Sequence, residues 1–173
     1  MRLACTLLLT AVLQLPETVP RSPYVATPPD VVDRMLTLAR VDARDVVYDL
    51  GSGDGRIVIA AAQKFGARGV GVDIDPVRIT EAQENARRAG VQNRVTFKLQ
   101  DALQADVSEA TVVTLYMLSA INVKLRPILT KELRPGARIV SHNFAMGDWE
   151  PQKVDTFKDA AGTSRTLYLW EIK

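Results

Sequence analysis

Apolar positions fall in two rhythms along the chain. Short, nearly unbroken runs rich in Val, Ile and Leu alternate with longer stretches that place an apolar residue every third or fourth position. The first long stretch opens at Thr27-Pro28-Pro29-Asp30, which reads as a helix start with Thr27 as cap and Pro28 at the first helical position. It continues through Val31, Val32, Met35, Leu36 and Leu38 on one face. From there the spacing predicts strands over 45–50, 69–74, 95–99, 111–117 and 137–141. Helices are predicted over 56–65, 76–89 and 122–133, stopped by Gly66, Gly90 and Pro135-Gly136. A last strand, 166–172, has no helix before it and is expected to enter antiparallel, as a hairpin with 154–157. Repeated strand–helix units with near-continuous apolar strands imply an α/β fold. The expected sheet is doubly wound, mostly parallel and covered on both faces, with an antiparallel C-terminal strand.

Ahead of this domain, which begins at Tyr24, lies a different kind of sequence. Arg2 precedes an apolar run from Leu3 to Leu13, and a Pro-rich connector follows, so residues 1–23 form a segment distinct from the domain at 24–173. The run has the outline of an export signal or membrane anchor, with membrane contact through residues 1–15. It is too short to span a bilayer as a helix, and no A-x-A-like cleavage site follows. The plainer reading is an N-terminal helix packed on the domain or on a partner, in a cytoplasmic protein.

Composition narrows the chemistry. The chain has 173 residues, enough for one domain with one core. A formal net charge of +2 argues against a protein that coats nucleic acid by charge alone. A single Cys, Cys5, and a single His, His142, exclude a disulfide framework and a Cys/His zinc site. No metal is expected, because nothing in the carboxylate spacing asks for one.

The strongest local signal is Asp49-Leu50-Gly51-Ser52-Gly53-Asp54-Gly55-Arg56, between the first strand of the series and its helix. Glycines there allow a tight turn and close approach of a ligand, and the helix start offers N–H groups and a positive dipole end. A dinucleotide site has G-x-G-x-x-G spacing, which suits a pyrophosphate. This loop instead reads D-x-G-x-G-x-G. Asp49 and Asp54 would repel a pyrophosphate and attract the ammonium and sulfonium of S-adenosylmethionine. Gly71-Val72-Asp73-Ile74-Asp75-Pro76 follows, with Asp73 about 20 residues after the loop, where an acidic side chain accepts the ribose hydroxyls. Asp75 is the expected cap of the next helix. Gln100-Asp101-Ala102 then places a carboxylate where an adenine amino group would sit. Each acidic residue has a plainer alternative: Asp54 as a helix cap, Asp73 as a solvated strand end, Asp101 as a turn residue. Three acidic markers in order at successive strand ends favour the cofactor, since ligands of open α/β sheets bind along that edge.

With these residues in view, the chain from Tyr24 to Pro151 resembles the small archaeal and bacterial class I protein-lysine methyltransferases and the related eukaryotic mitochondrial lysine methyltransferases. The resemblance is carried by Tyr24-Val25-Ala26-Thr27-Pro28, by 47–58 around the glycine loop, by 108–118, by Leu125-Arg126-Pro127, and by 133–144 with Trp149 and Pro151. It implies a Rossmann-like class I methyltransferase fold using S-adenosylmethionine. It also implies cofactor contacts from Tyr24 and Thr27 over the methionine end, and a target-lysine channel near 116–119 and 141–144. Ala26, Asn143 and Met117-Leu118-Ser119 depart from the family's usual residues, which bears on the substrate and not on the cofactor.

The candidate cofactor-binding set is therefore Tyr24, Thr27, Asp49, Gly51, Ser52, Gly53, Asp54, Gly55, Arg56, Asp73, Ile74, Asp101 and Ala102. The candidate catalytic set is Tyr116, His142 and Asn143. Tyr116 reads either as a channel wall or as a core aromatic. His142 reads either as a base or as a structural strand-end histidine. Asn143 can hydrogen-bond a substrate amide or amine. The expected reaction is in-line transfer of methyl from sulfonium to a neutral lysine amine of a protein partner. A small-molecule or nucleic-acid methyltransferase and a non-catalytic cofactor-binding protein are the alternatives. The segment Tyr116-Met117-Leu118-Ser119 lacks the Asn/Asp-Pro-Pro-Tyr/Phe pattern of adenine methylases, so nucleic acid is the disfavoured partner.

Overall fold

The computed structural model describes residues 24–173; the N-terminal apolar run and its connector lie outside the described residues. Helix α1 (Pro29–Leu38) leads into strand β1 (Val46–Leu50), α2 (Arg56–Phe65), β2 (Arg68–Asp73), α3 (Pro76–Arg88) and β3 (Val95–Leu99). A short 3-10 turn (Ala102–Gln104) precedes β4 (Val112–Leu115), α4 (Ser119–Glu132), β5 (Arg138–His142), β6 (Lys153–Lys158) and β7 (Ser164–Glu171). The seven strands form one sheet in the order β3-β2-β1-β4-β5-β7-β6. Strands β1 to β5 pair in parallel, while β7 is antiparallel to both β5 and β6. The expected antiparallel hairpin at the C-terminus is therefore present.

Burial explains the order. All five residues of β1 and all four of β4 are buried, as central strands covered on both faces require. On one face of the sheet α1 and α2 close a core through Val31, Met35, Leu36, Val58 and Ala61. On the other, α4 closes a second core through Leu125 and Leu129, against Leu50, Leu115, Ile139 and Trp170. Strand β3 lies at the edge and buries only Val95 well, which is why its sequence alternates while its neighbours do not.

The start of α1 differs from the sequence expectation. Pro28, not Thr27, is the capping residue, Pro29 takes the first turn, and no side chain caps the helix. Pro29 lacks the N–H that a Thr27 cap would take at the second helical position. Asp30 accepts instead from the Ala160 N–H across the β6–β7 turn. Asp75 does cap α3, accepting from Val77 N–H at 2.9 Å.

Parallel pairing brings the C-terminal ends of β1, β2, β3, β4 and β5 to one edge of the sheet. That edge carries the glycine loop, Asp73, Asp101, Tyr116 and His142. The core on the α4 face closes on Trp170 of β7, which is buried against Trp149 and donates its indole N–H to the Trp149 carbonyl at 2.8 Å. Trp170→Ala is expected to cost about 3–5 kcal/mol of unfolding free energy, read from the urea midpoint at unchanged slope.

Candidate functional site

The glycine loop turns back on itself through its own amides. Gly51 and Ser52 both donate their N–H to the Val72 carbonyl, at 2.8 and 2.9 Å. Gly53 N–H donates to one oxygen of Asp73 at 2.8 Å, and Asp75 N–H donates to the other at 2.9 Å. Gly55 N–H is bound by the Ser52 carbonyl and Arg56 N–H by the Asp54 carboxylate. The loop's own amides are therefore turned toward internal acceptors, and of the amides expected to be free at the start of α2, that of Arg56 is engaged. The loop's amides at Gly51, Ser52, Gly53, Gly55 and Arg56 are satisfied inside the protein. A phosphate cradle needs those donors free. What remains at the rim is acidic, and that suits a cationic ligand.

Backbone geometry fixes the loop's composition. Gly53 has φ +52°, and a Cβ there would sit 2.3 Å from the Tyr24 ring. Gly55, the capping position of α2, has φ +80°, and a Cβ would meet Phe97 at 2.7 Å and Ala82 at 3.0 Å. Both positions need glycine for conformation and for space. Asp54 is not the cap of α2. It forms a two-toothed pair with Arg56, at 2.9 Å from Nε and 2.6 Å from Nη2. Burial raises the Asp54 carboxyl, but the Arg56 guanidinium more than offsets this and holds it below the usual range. The other arm of Arg56 donates to the Thr27 carbonyl at 2.9 Å, so the loop is tied to the segment that leads into α1.

Asp49 lies under the loop, buried, with the Thr114 hydroxyl donating to it at 2.7 Å. Burial pushes its carboxyl up to about 7, Thr114 pulls against that, and the charges of Asp73 and Asp54 add to the rise. Asp73 has both oxygens engaged by backbone amides, yet a carboxylate has about four acceptor sites, so it can still take ribose hydroxyls. Asp101 caps the 3-10 turn by accepting from Leu103 N–H, which is the plainer of its two readings and leaves its other oxygen open. Ile74 and Leu99 stand exposed at the ends of β2 and β3, next to Asp73 and Ala102. They offer an apolar bed beside two carboxylates, as an adenosine moiety requires. Tyr24 covers Gly53 and is itself covered by Arg78, whose guanidinium lies 4.6 Å from the ring centre. Burial and the Asp54 charge raise the Tyr24 hydroxyl above its ordinary value.

Beyond β4 and β5 the surroundings become aromatic. Tyr116 stacks on His142 with ring centres 3.9 Å apart and faces Phe144 at 6.0 Å. His142 is fully buried, with Nδ1 3.3 Å from the Thr27 hydroxyl and, among the described residues, no partner for Nε2. Burial and then the Arg165 charge push its imidazole down to about 4, so it is neutral at physiological pH. Asn143, expected as a substrate contact, also has a structural task. It adopts φ +62°, donates its N–H to the Thr166 carbonyl and accepts from Thr166 N–H through its side-chain oxygen. It thus extends the β5–β7 ladder past a turn.

Two residues that sequence reasoning missed hold this region. Asn122, fully buried on α4, donates to the Ser141 hydroxyl at 3.1 Å and the Phe144 carbonyl at 3.0 Å. Thr114 holds Asp49. Their signal was present: each is a polar residue at a position where the local pattern calls for an apolar one.

A family described as the ANTKMT methyltransferase domain matches residues 49–153, which include the end of β1, the glycine loop and all of β2 to β5. The chain belongs to this methyltransferase family. Among its relatives is a protein-lysine N-methyltransferase of Saccharolobus islandicus, 46% identical across 89% of this chain and 96% of that protein. The adenine nucleotide translocase lysine N-methyltransferase of Mus musculus is 33% identical across 76% of this chain, which spans only 57% of that longer protein. A solved structure described as an RNA methyltransferase from Salinibacter ruber, in complex with S-adenosyl-L-homocysteine, is 56% identical. It superposes with a TM-score of 0.80 over 86% of this chain and 94% of that one. S-adenosylmethionine is the cofactor of this family, and the acidic rim with its inward-turned amides fits it. Among the described residues no cluster of metal-ligating side chains is found, and none of their helices is long and apolar enough to cross a membrane.

The Asp49 environment has a pH consequence. Its folded-state value is raised, so its contribution to stability is intact below the ordinary carboxylate value and is lost as pH rises toward about 7. A cationic ligand favours the ionised form. Affinity for S-adenosylmethionine should therefore rise several-fold between about pH 5.5 and pH 7. The Asp49→Asn variant should show a flat profile in the same calorimetric series, and a flat wild-type profile would refute the coupling. Gly55→Ala should cost about 2–4 kcal/mol, from its left-handed φ and the Phe97 overlap together, measured by urea unfolding.

Proposed function

We propose that this protein transfers methyl groups from S-adenosylmethionine to lysine side chains of a protein substrate. The observation that carries the reading is the pairing of two unlike half-sites along one sheet edge. An acidic rim beside the glycine loop suits a cationic donor. A neutral aromatic group, Tyr116 with His142 and Phe144, stands at the ends of β4 and β5 beside it. Aromatic faces receive the alkyl stem of a lysine by apolar contact. They also favour the uncharged amine, the form that can attack, by excluding water from it. The Saccharolobus relative, matched over nearly its whole length, is described with this acceptor.

S-adenosylmethionine supplies an activated methyl on sulfonium, so the acceptor needs alignment more than a strong base. The residues proposed to hold it are Asp73 and Asp101 for the adenosine, and Gly51 to Asp54 with Asp49 beneath for the methionine. Tyr24 folds over Gly53 and closes the donor side. Ser52, whose hydroxyl is buried without a partner among the described residues, braces the loop against β2. Tyr116 is proposed to line the acceptor path. Asn143 is reassigned from substrate contact to turn support, and His142 from base to the wall behind Tyr116.

A second reading keeps the donor and changes the acceptor. The Salinibacter structure, 56% identical, is described as an RNA methyltransferase. The near-balanced charge of this chain gives that reading little electrostatic support. The two readings separate in one experiment. Purified protein is incubated with methyl-labelled S-adenosylmethionine and a cell extract, divided and treated with nuclease or protease. Label that survives nuclease and maps to lysine in peptide mass spectra is the expected result. Label lost to nuclease and retained after protease would replace lysine with RNA.

A further inference from the structure

Thr27 occupies an unusual place between the two half-sites. Although it precedes α1, it is almost wholly buried. Its carbonyl accepts from Arg56, which is itself locked to Asp54 in the glycine loop. Its hydroxyl lies 3.3 Å from His142 Nδ1, and Tyr116 stacks on the same imidazole at 3.9 Å. A continuous chain of contacts therefore runs from the cofactor loop through Arg56, Thr27 and His142 to the acceptor aromatic.

Stability alone gives a poor account of the pair. A buried imidazole with one nitrogen bound to a hydroxyl and the other without a partner among the described residues costs desolvation that an apolar pair of similar shape would not. Whichever partner donates, the bond fixes the plane of the ring and so the plane of Tyr116 against it. Methyl transfer depends on near-linear approach of donor and acceptor, and small displacements lower its rate steeply. We propose that Thr27 and His142 form a positioning bridge that sets Tyr116, and with it the acceptor side of the cleft, against the cofactor loop. The proposal rests on the methyltransferase reading and is independent of whether lysine is the acceptor.

The test uses the full chain with Thr27→Val, Thr27→Ser, His142→Phe and the Thr27→Val/His142→Phe double variant. Transfer is followed with labelled S-adenosylmethionine and the extract acceptor, and cofactor binding with S-adenosyl-L-homocysteine by calorimetry. Thr27→Val and His142→Phe should each lower kcat by at least ~10-fold, and His142→Phe should leave the affinity for S-adenosyl-L-homocysteine within ~3-fold of wild type. Thr27→Ser should restore turnover. The double variant should be no slower than the slower single one, as expected for two ends of one bond. The double variant, which replaces both polar partners, should keep or raise Tm, whereas a merely structural role would lower it. Normal turnover in Thr27→Val, additive losses, or affinity falling in step with kcat in His142→Phe would overturn the bridge.

His142 is the sole histidine of the chain, so its ring nitrogens give one unambiguous pair of NMR signals. These should move in Thr27→Val and return in Thr27→Ser. If label lands on RNA, lysine specificity fails while the kinetic comparison proceeds on that acceptor. If no acceptor is found in the extract, the imidazole signals decide alone, and signals unmoved in Thr27→Val overturn the proposal.

Discussion

The proposed donor half of the site depends on the glycine loop turning its amide hydrogens inward. Val72 and Asp73, at the end of β2, accept from Gly51, Ser52 and Gly53, so β2 shapes the loop that β1 leads into. A loop of similar glycine content in a nucleotide-binding protein leaves such donors free for phosphate. Here the same turn is closed by internal acceptors, and the remaining character of the rim is set by Asp49, Asp54, Asp73 and Asp101. Sheet register makes this possible. Asp49 pairs across to Gly71 and Thr114, which places its carboxylate on the Thr114 hydroxyl and beneath the loop.

The proposed acceptor half is built by different means. The ends of β4 and β5 carry large rings, and these are fixed by buried polar anchors. Asn122 and Ser141 hold the Phe144 carbonyl on the α4 side of the sheet. Thr27 reaches His142 on the α1 side. Consecutive strand residues point to opposite faces, so Ser141 and His142 connect the end of β5 to both helical layers at once. The left-handed Asn143 then turns the chain while keeping its pairing with β7. Reactive geometry in such a site follows from what the rings are packed against more than from any single acid or base.

Neutrality of His142 and elevation of Asp49 arise from the same cause. Each ionisable group is enclosed, and enclosure penalises its charged form. The consequences differ. Neutral His142 serves as a flat wall for Tyr116. Partly protonated Asp49 holds a charge in reserve that a cationic cofactor would favour.

Much of this was legible in the chain itself. The alternation of apolar runs and amphipathic stretches fixed five parallel strands and their helices, because burial on two faces demands unbroken apolar strands. The spacing of Asp49, Asp73 and Asp101 placed three carboxylates at one edge, since strand ends in a parallel sheet share a side. The roles of Thr27, Asn122, Thr114 and Asn143 were decided only by tertiary structure. Thr27 and His142 are 115 positions apart, and no local pattern says that a hydroxyl near one helix meets an imidazole at the end of a distant strand. Local sequence sets what a residue prefers, while long-range packing sets which partner it meets, and for buried polar groups the partner determines the role.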